Sequence, residues 1–482
     1  MNQPTFYWHD YETSGTDARR DRPLQFAGQR TNLELEEIGE PLTIYCQPAP
    51  DVLPQPMSCL ITGITPQRAE RDGVREAEFA ARVHEELAVP GTCGTGFNSI
   101  RFDDEFTRNL LYRNFYDPYE REWKDGNSRW DIIDLARMCH ALRPEGVQWP
   151  RREDGSTSFR LEDLSAANRL AHAHAHDAQS DVQATIALAR LLKRSQPRLW
   201  EFYFALRRKQ EAFNLLDHVH RTPVLHVSSR FPAERGCLAI VVPLAAHPEQ
   251  ANKIIVYDLD ADPAPLLELD ADDIADRVFA SRADLPDDAM RIPLKLVHAN
   301  KSPALAPLSV LKGTDVKRIN LDVDRAMRHL QVLQSAPDLA NKVRRVFSRG
   351  AADADPGNGQ SQDAELAIYG GFCGDSDKRL CSEVRRTPPA ELGRAFDFKD
   401  PRCAELLFRY RARNYPETLS EPERTRWENF RRERLTQETP LTGLTLERYF
   451  AEIATLRTSG TGAQQVLLDQ LEQWGRQLAA SL

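Results

Sequence analysis

Three short clusters in the first 185 positions hold the side chains best suited to chemistry: Asp10-Tyr11-Glu12, Asn98-Ser99-Ile100-Arg101-Phe102-Asp103 and His176-Asp177-Ala178-Gln179-Ser180-Asp181. Oxygen donors from Asp10, Glu12, Asp103 and Asp181 form a set that could hold two divalent cations, with His176 as the base. Two ions so held lower the pKa of a water and stabilise a leaving oxygen, which is the chemistry of phosphodiester cleavage. Asp10 and Glu12 follow the apolar run Phe6-Tyr7-Trp8, which reads as a strand, so the two carboxylates project from one face. Asp103 opens a helical run and is the ligand of that cluster, with Asp104 in a supporting or solvent position. Acids at a helix start also suit the macrodipole without any further role. Asp177 caps a third helix, Asp181 lies one turn in, and His176 stands just before the cap.

Two other patterns compete for attention. His172-Ala-His174-Ala-His176-Asp177 resembles the H-x-H-x-D-H zinc motif of metallo-β-lactamase-type hydrolases, but its Asp follows the third His and no further His completes it. Gly91-x-x-Gly94-x-Gly96 precedes Asn98 without the βαβ setting of a dinucleotide loop.

The elements that must position these residues mix strands and helices. Strands are expected at 5–11, 24–31, 41–47 and 92–97, helices at 76–88, 103–114, 130–142 and 177–194, an α/β class with a boundary near Pro197. From about 222 to 305 come short β-rich runs, Val224–Val227, Leu238–Pro243, Lys253–Asp258, Leu266–Leu269 and Ile292–His298, which read as a small barrel or sandwich. A helical run covers Asp322 to about Phe347, Gly350–Asp363 reads as a linker, and the remainder is helical. There Leu467, Leu471, Trp474 and Leu478 share one face.

At 482 residues the chain is too long for one core. The start Met-Asn-Gln-Pro-Thr has no basic n-region and no 18-residue apolar run follows, so neither a signal peptide nor a membrane span is expected and the location is cytoplasmic. Eight scattered cysteines without a C-x-x-C pair suit reduced thiols. A net charge of −9 argues against a protein that coats nucleic acid nonspecifically, and leaves room for a basic channel in an acidic exterior. Gripping a strand needs cations interleaved with aromatics, supplied by Arg108, Tyr112, Arg113, Tyr116, Trp123, Arg137 and Arg160, with Arg160 nearest the scissile phosphate. Residues 402–434 hold nine Arg against six Glu, with Arg409, Tyr410, Arg411, Arg413, Trp427, Arg431 and Arg432 interleaved as a second such stretch or as a solvated helix face with salt bridges.

Taken in order, D-x-E, N-x-x-x-F-D and H-x-x-x-x-D resemble the DEDDh 3′→5′ exonuclease superfamily, and Thr62-Gly63-Ile64-Thr65 resembles one of its turns. HDYETSGTDARRDRPLQFA, NFYDPYEREW, LRPEGVQWP, SFRLEDL, AHDAQSDVQATIALA, PLKLVHANKSP and YRARNYPETL are similar to the bacterial exodeoxyribonuclease I family, from about residue 9 to about 416. The resemblance implies an RNase H-like exonuclease domain at 1–196, an SH3-like β domain with a trailing helix at 197–350, a linker at 351–363 and a helical domain at 364–482. It implies two Mg²⁺ ions, replaceable by Mn²⁺, on Asp10, Glu12, Asp103 and Asp181, with Glu12 also against the substrate and His176 as general base. The implied activity is processive 3′→5′ release of 5′-mononucleotides from single-stranded DNA in repair and recombination, by a monomer. The implied partner is the acidic C-terminal tail of single-strand DNA-binding protein, with Arg143 as its contact. Ser14 departs from the aromatic usual in the family's E-T-F-G, which touches stacking of the terminal base. An RNase T-like RNA trimmer and a catalytically silent strand-binding scaffold are the rival readings. The accessory domains argue against the first and the complete acidic set against the second.

Overall fold

The computed structural model describes residues 3–170, 177–280, 285, 290–354, 363–371, 373–458 and 460–482, and the side chains of 349–354 lie outside the description. The chain forms two compact units, Met1–Ser128 with His172–Ile186 and Ser361–Leu482, and Arg129–Ala171 with Ala187–Gln360.

The first unit is built on β1 (Thr5–Thr13), β2 (Pro23–Thr31), β3 (Glu37–Cys46), β4 (Gly73–Val74) and β5 (Thr92–Gly96), ordered β4-β3-β2-β1-β5. β1 is interior, antiparallel to β2 and parallel to β5. Both its faces are covered, so its first half is a continuous apolar run rather than an alternating one. Tyr7 and Tyr11 pack on helix α1 (Glu76–Leu87) through Phe79, Ala80, Val83 and Leu87, a single helical stripe, with Phe26 in the same core. Phe6 and Trp8 fill the opposite face at 0% exposure, and Asp10 and Glu12 continue that face beyond Trp8. Helices α2 (Asp103–Arg113) and α3 (Ala178–Ser195) lie where helical runs are expected.

Two seven-residue helices, Pro56–Thr62 and Pro66–Asp72, appear where none is expected. Each begins with Pro, whose missing N–H costs nothing there. Between them Gly63 takes φ 67° to close the first, and the Thr65 side chain accepts the Arg68 N–H to open the second. The expected helix 130–142 resolves into a strand, Ser128–Asp131, and a helix, Ile132–Leu142, capped by Asp131.

The C-terminal segment of this unit holds α4 (Asp375–Arg386) and α5 (Pro401–Asn414), then helices at Glu421–Thr436, Leu446–Arg457 and Gly462–Ala480. In the last of these the buried stripe is Leu468, Leu471, Trp474 and Leu478; Leu467 is only partly covered, a one-residue correction of the expected face. The stripe joins Tyr449, Ile453, Leu53 and Cys59 in one core, so the end of the chain packs on the segment after β3.

The second unit contains a five-stranded sheet with order Leu294–His298, Lys253–Asp258, Leu238–Ala246, Val224–Val227, Ala304–Pro307, antiparallel throughout. The expected strand Leu266–Leu269 is instead part of the short helix Ala264–Glu268, followed by a helix over Ala271–Phe279 capped by Asp270. The helix Leu339–Ala354 continues past Gly350 into the expected linker, and 355–362 lie outside the described residues. No helix among the described residues is long and apolar enough to cross a membrane.

Candidate active site

β1 carries Asp10 and Glu12, α3 carries Asp181, and one oxygen from each carboxylate lies within 4.8 Å of the other two. The register sets Asp10 opposite Ala27 and Glu12 opposite Gln25. Gln25 accepts the Ala178 N–H at 3.4 Å, which ties β2 to the first turn of α3. Asp177 caps that helix: its carboxylate accepts the Ser180 N–H at 3.1 Å, and its carbonyl accepts the Asp181 N–H at 3.0 Å. Residues 171–176 lie outside the described residues, so the places of His172, His174 and His176 are not part of this geometry.

Asp103 enters on α2 after a turn at Asn98, which adopts φ 67°. Its Oδ1 accepts the Tyr11 backbone N–H at 3.1 Å. Tyr11 stands between Asp10 and Glu12, so this bond fastens the second acidic cluster to the first. The Thr107 hydroxyl, one turn along α2, lies 2.9 Å from the Asp103 carbonyl and 3.1 Å from the Tyr11 hydroxyl. Asp103 is outside the trio of mutually close oxygens yet acts on both Asp10 and Glu12 electrostatically. Asp104 is 2% exposed and accepts Arg121 at 2.5 Å, which settles its alternatives as a buried supporting pair rather than a solvent position. The structure adds Arg121 to the site; its only trace in the sequence is its place in NFYDPYEREW.

Burial, then Asp103, Glu12 and Asp181, push the Asp10 carboxyl well above the usual range, and burial, then Asp181 and Asp103, push Glu12 up to about 9. An oxygen-only donor set of this kind could hold a hard divalent cation. One consequence concerns the metal-free protein. A carboxyl with a raised folded pKa holds a proton that the unfolded chain releases, so stability is full at low pH. It falls as pH climbs from the unfolded value of about 4.5 toward the folded one, by about 1.4 kcal/mol per unit for each such group. With chelator at pH 8, Asp10→Asn and Glu12→Gln should each melt several degrees above the wild type, with little difference at pH 4. Thermal melts at both pH values check this, and lowered melting of both variants at pH 8 contradicts the crowding.

Several of the expected strand contacts have partners within the protein. Arg108 is buried, with Nε and Nη2 on Glu122 at 2.7 and 2.8 Å and Nη1 on Glu105 at 2.8 Å. The Tyr112 hydroxyl donates to the Ala364 carbonyl, and Tyr116 packs on His84 beneath the Arg385 guanidinium. Arg113 pairs with Glu76, and Arg137 pairs with Asp134 over the Phe159 ring. Each of these arginines thus already has an acidic partner within the protein. Trp123, 65% exposed, and Arg160, exposed at the start of the helix Leu161–Ala167, remain on the surface. Arg143 is half-buried and donates to Thr314 and to the Val310 and Lys312 carbonyls. In the 402–434 stretch the salt bridges of the second reading are present but not solvated: Arg409, Arg411, Arg413 and Arg431 are buried and bonded to acids, and Tyr410 and Trp427 are buried with them. Arg432 is exposed and donates to the Leu482 carbonyl. Ser14 is buried, and its hydroxyl accepts the Arg22 N–H at 2.8 Å, which closes the 14–22 loop.

Family models match in chain order: an exonuclease model over 7–189, the exonuclease I SH3-like domain over 207–349 and the exonuclease I C-terminal domain over 362–478. Exodeoxyribonuclease I of Escherichia coli is 48% identical over 438 residues, 90% of this chain and 91% of that one. The chain belongs to the exodeoxyribonuclease I family. Exodeoxyribonuclease I of Haemophilus influenzae is 42% identical over 433 residues, 89% of this chain and 90% of that one. The exonuclease I from Methylocaldum szegediense superposes with a TM-score of 0.94 at 49% identity, covering 98% of this chain and 99% of that one. The chain is thus an exonuclease, and the exonuclease domain at 7–189 implies dependence on a divalent metal. All four carboxylates of the family pattern fall inside that matched range.

Proposed function

We propose that this exodeoxyribonuclease I-family chain degrades single-stranded DNA processively from the 3′ end, releasing 5′-mononucleotides, as a cytoplasmic monomer serving repair and recombination. The observation that carries the reading is the convergence of Asp10, Glu12 and Asp181 within 4.8 Å, with Asp103 held beside them by the Tyr11 N–H. Support for the substrate comes from the E. coli exonuclease I solved with a dA16 oligonucleotide, 45% identical with a TM-score of 0.93 over 99% of this chain.

Asp10, Glu12, Asp103 and Asp181 would hold Mg²⁺, with Mn²⁺ as a substitute. Bound there, the ions supply Lewis-acid activation of water and neutralise charge building on the phosphodiester. His176 accepts the proton of the attacking water and hands it to solvent. Arg121 holds Asp104, and through it the first turn of α2, so that Asp103 keeps its place. Glu12 borders the terminal nucleotide, the exposed Trp123 offers a stacking face, and Arg160 meets a phosphate. An acidic protein tail is the proposed partner, supported by an exonuclease I structure with SSB-Ct, and Arg143 braces the turn it would meet.

His176→Ala should slow single-turnover cleavage by about 10²–10⁴-fold with strand affinity nearly unchanged. Loss of affinity at unchanged turnover would make His176 a substrate contact instead. Initial rates on single-stranded DNA, duplex DNA and RNA of equal length test the substrate. Single-stranded DNA should lead by orders of magnitude, and a faster rate on RNA would replace the reading with RNA trimming.

A further inference from the structure

A second cluster of possible ligands, chemically unlike the acidic site, lies where the C-terminal helices begin. Cys373 precedes α4, Cys381 lies on α4, Cys403 lies in the first turn of α5, and Asp400 caps α5. The sulfurs of Cys373 and Cys403 are 4.0 Å apart, and an Asp400 oxygen lies within 4.8 Å of both. Cys381 interacts with the Cys403 thiol and lines the same cavity of about 190 Å³ as the other two cysteines. The cavity has room for an ion and a water.

Residue type and spacing narrow what could sit there. With Zn–S bonds of about 2.3 Å, two thiolates on one tetrahedral zinc stand about 3.8 Å apart, so Cys373 and Cys403 need only a small adjustment. Thiolates select zinc-like ions over magnesium, the reverse of the all-oxygen site on β1 and α3. We propose that Cys373, Cys403 and Asp400, completed by Cys381, form a structural site for a zinc-class divalent cation.

In the metal-free chain these thiols are held protonated: the bond with Cys403, then burial, pushes the Cys373 thiol well above the usual range. The Cys373 thiol pulls the Cys403 pKa down, but the Cys381 contact and burial outweigh it and leave Cys403 at about 12. The ion must therefore displace thiol protons, as it does at other structural zinc sites. The N-terminus of α5 offsets part of that cost at Cys403. Asp400 now receives Arg402, whose Nη1 and Nη2 also donate to the Ala367 and Gly371 carbonyls, so the guanidinium keeps partners when one carboxylate oxygen turns to the ion. Lys378, on α4 and lining the cavity, is neutralised by Asp117 at 3.0 Å. An ion here would clip the loop before α4 to the start of α5, the helix whose Arg409 and Arg413 reach the buried acids of the first unit.

Cobalt is the probe, because only sulfur ligation gives an intense near-ultraviolet sulfur-to-cobalt charge-transfer band. The full chain carrying Asp10→Asn and Asp181→Asn, which disable the acidic site, is titrated with Co²⁺ under a non-thiol reductant. The band should saturate at one equivalent, be erased by one equivalent of Zn²⁺, and disappear in Cys373→Ser and in Cys403→Ser. Zn²⁺ should also slow thiol labelling of the chain with an intact acidic site. Absence of the band in chains with all cysteines intact, with labelling indifferent to Zn²⁺, overturns the proposal. So does a band that survives both serine substitutions.

Discussion

Asp10→Asn should lower turnover on single-stranded DNA by at least about 10³-fold, a loss of about 4 kcal/mol of transition-state stabilisation, while the chain folds and binds the strand as before. The substitution keeps the shape of the side chain on β1 and removes one of three carboxylates within 4.8 Å. Metal affinity depends on that charge, whereas the native fold does not require it: in the metal-free chain the crowded charge opposes folding, so its removal leaves the chain folded. Asp181→Asn should match it, since α3 brings Asp181 to the same point. Single-turnover rates at saturating Mg²⁺, beside strand affinity by gel shift, separate the two effects. Cleavage within 10-fold of the wild type would remove Asp10 from the chemistry.

The second large effect is one of stability. Asp51, at 0% exposure, accepts Arg413 at 2.7 and 3.0 Å and Arg434 at 2.6 Å. Glu365, 1% exposed, accepts Arg22 and Arg413 at 2.7 Å and Arg409 at 3.1 Å. These acids and arginines come from the N-terminal and C-terminal stretches of the first unit, so the network fastens one to the other. Glu365→Gln leaves buried guanidinium groups short of charge and should cost about 3–5 kcal/mol at pH 7. Burial alone would raise both carboxyls, but the arginines, Arg413 foremost, hold Asp51 and Glu365 below the usual range. A depressed folded pKa contributes stability that is present above the unfolded value, about 4, and is lost as pH falls below it. Denaturant melts at pH 7 and pH 3 should therefore show the wild type losing more stability on acidification than the variant. A variant within 1 kcal/mol of the wild type at pH 7 would show that the network does not fasten the two stretches.

The parts of the site that rest on local rules could be read from residues alone. Strand alternation places Asp10 and Glu12 together, and a helix cap places Asp177 and Asp181 one turn apart. Bringing the three clusters to one point depends on pairings such as Tyr11 with Asp103, which are 92 residues apart. The partners of the cations are hidden for the same reason. Arg413 meets Asp51 across 362 positions, so a helix face rich in arginine looks solvated or strand-gripping until its distant partners are known. Short elements failed differently: seven-residue helices show too few turns for a period, and the apolar run at 266–269 fits a strand or a buried turn of helix equally well.

The central claim is tested most directly by following 5′-labelled single-stranded DNA with Mg²⁺, wild type beside Asp10→Asn. The account predicts a ladder that shortens from the 3′ end with mononucleotide as the released product, and an intact strand with the variant. Immediate appearance of the label as a free mononucleotide, or an equal ladder with the variant, would contradict it.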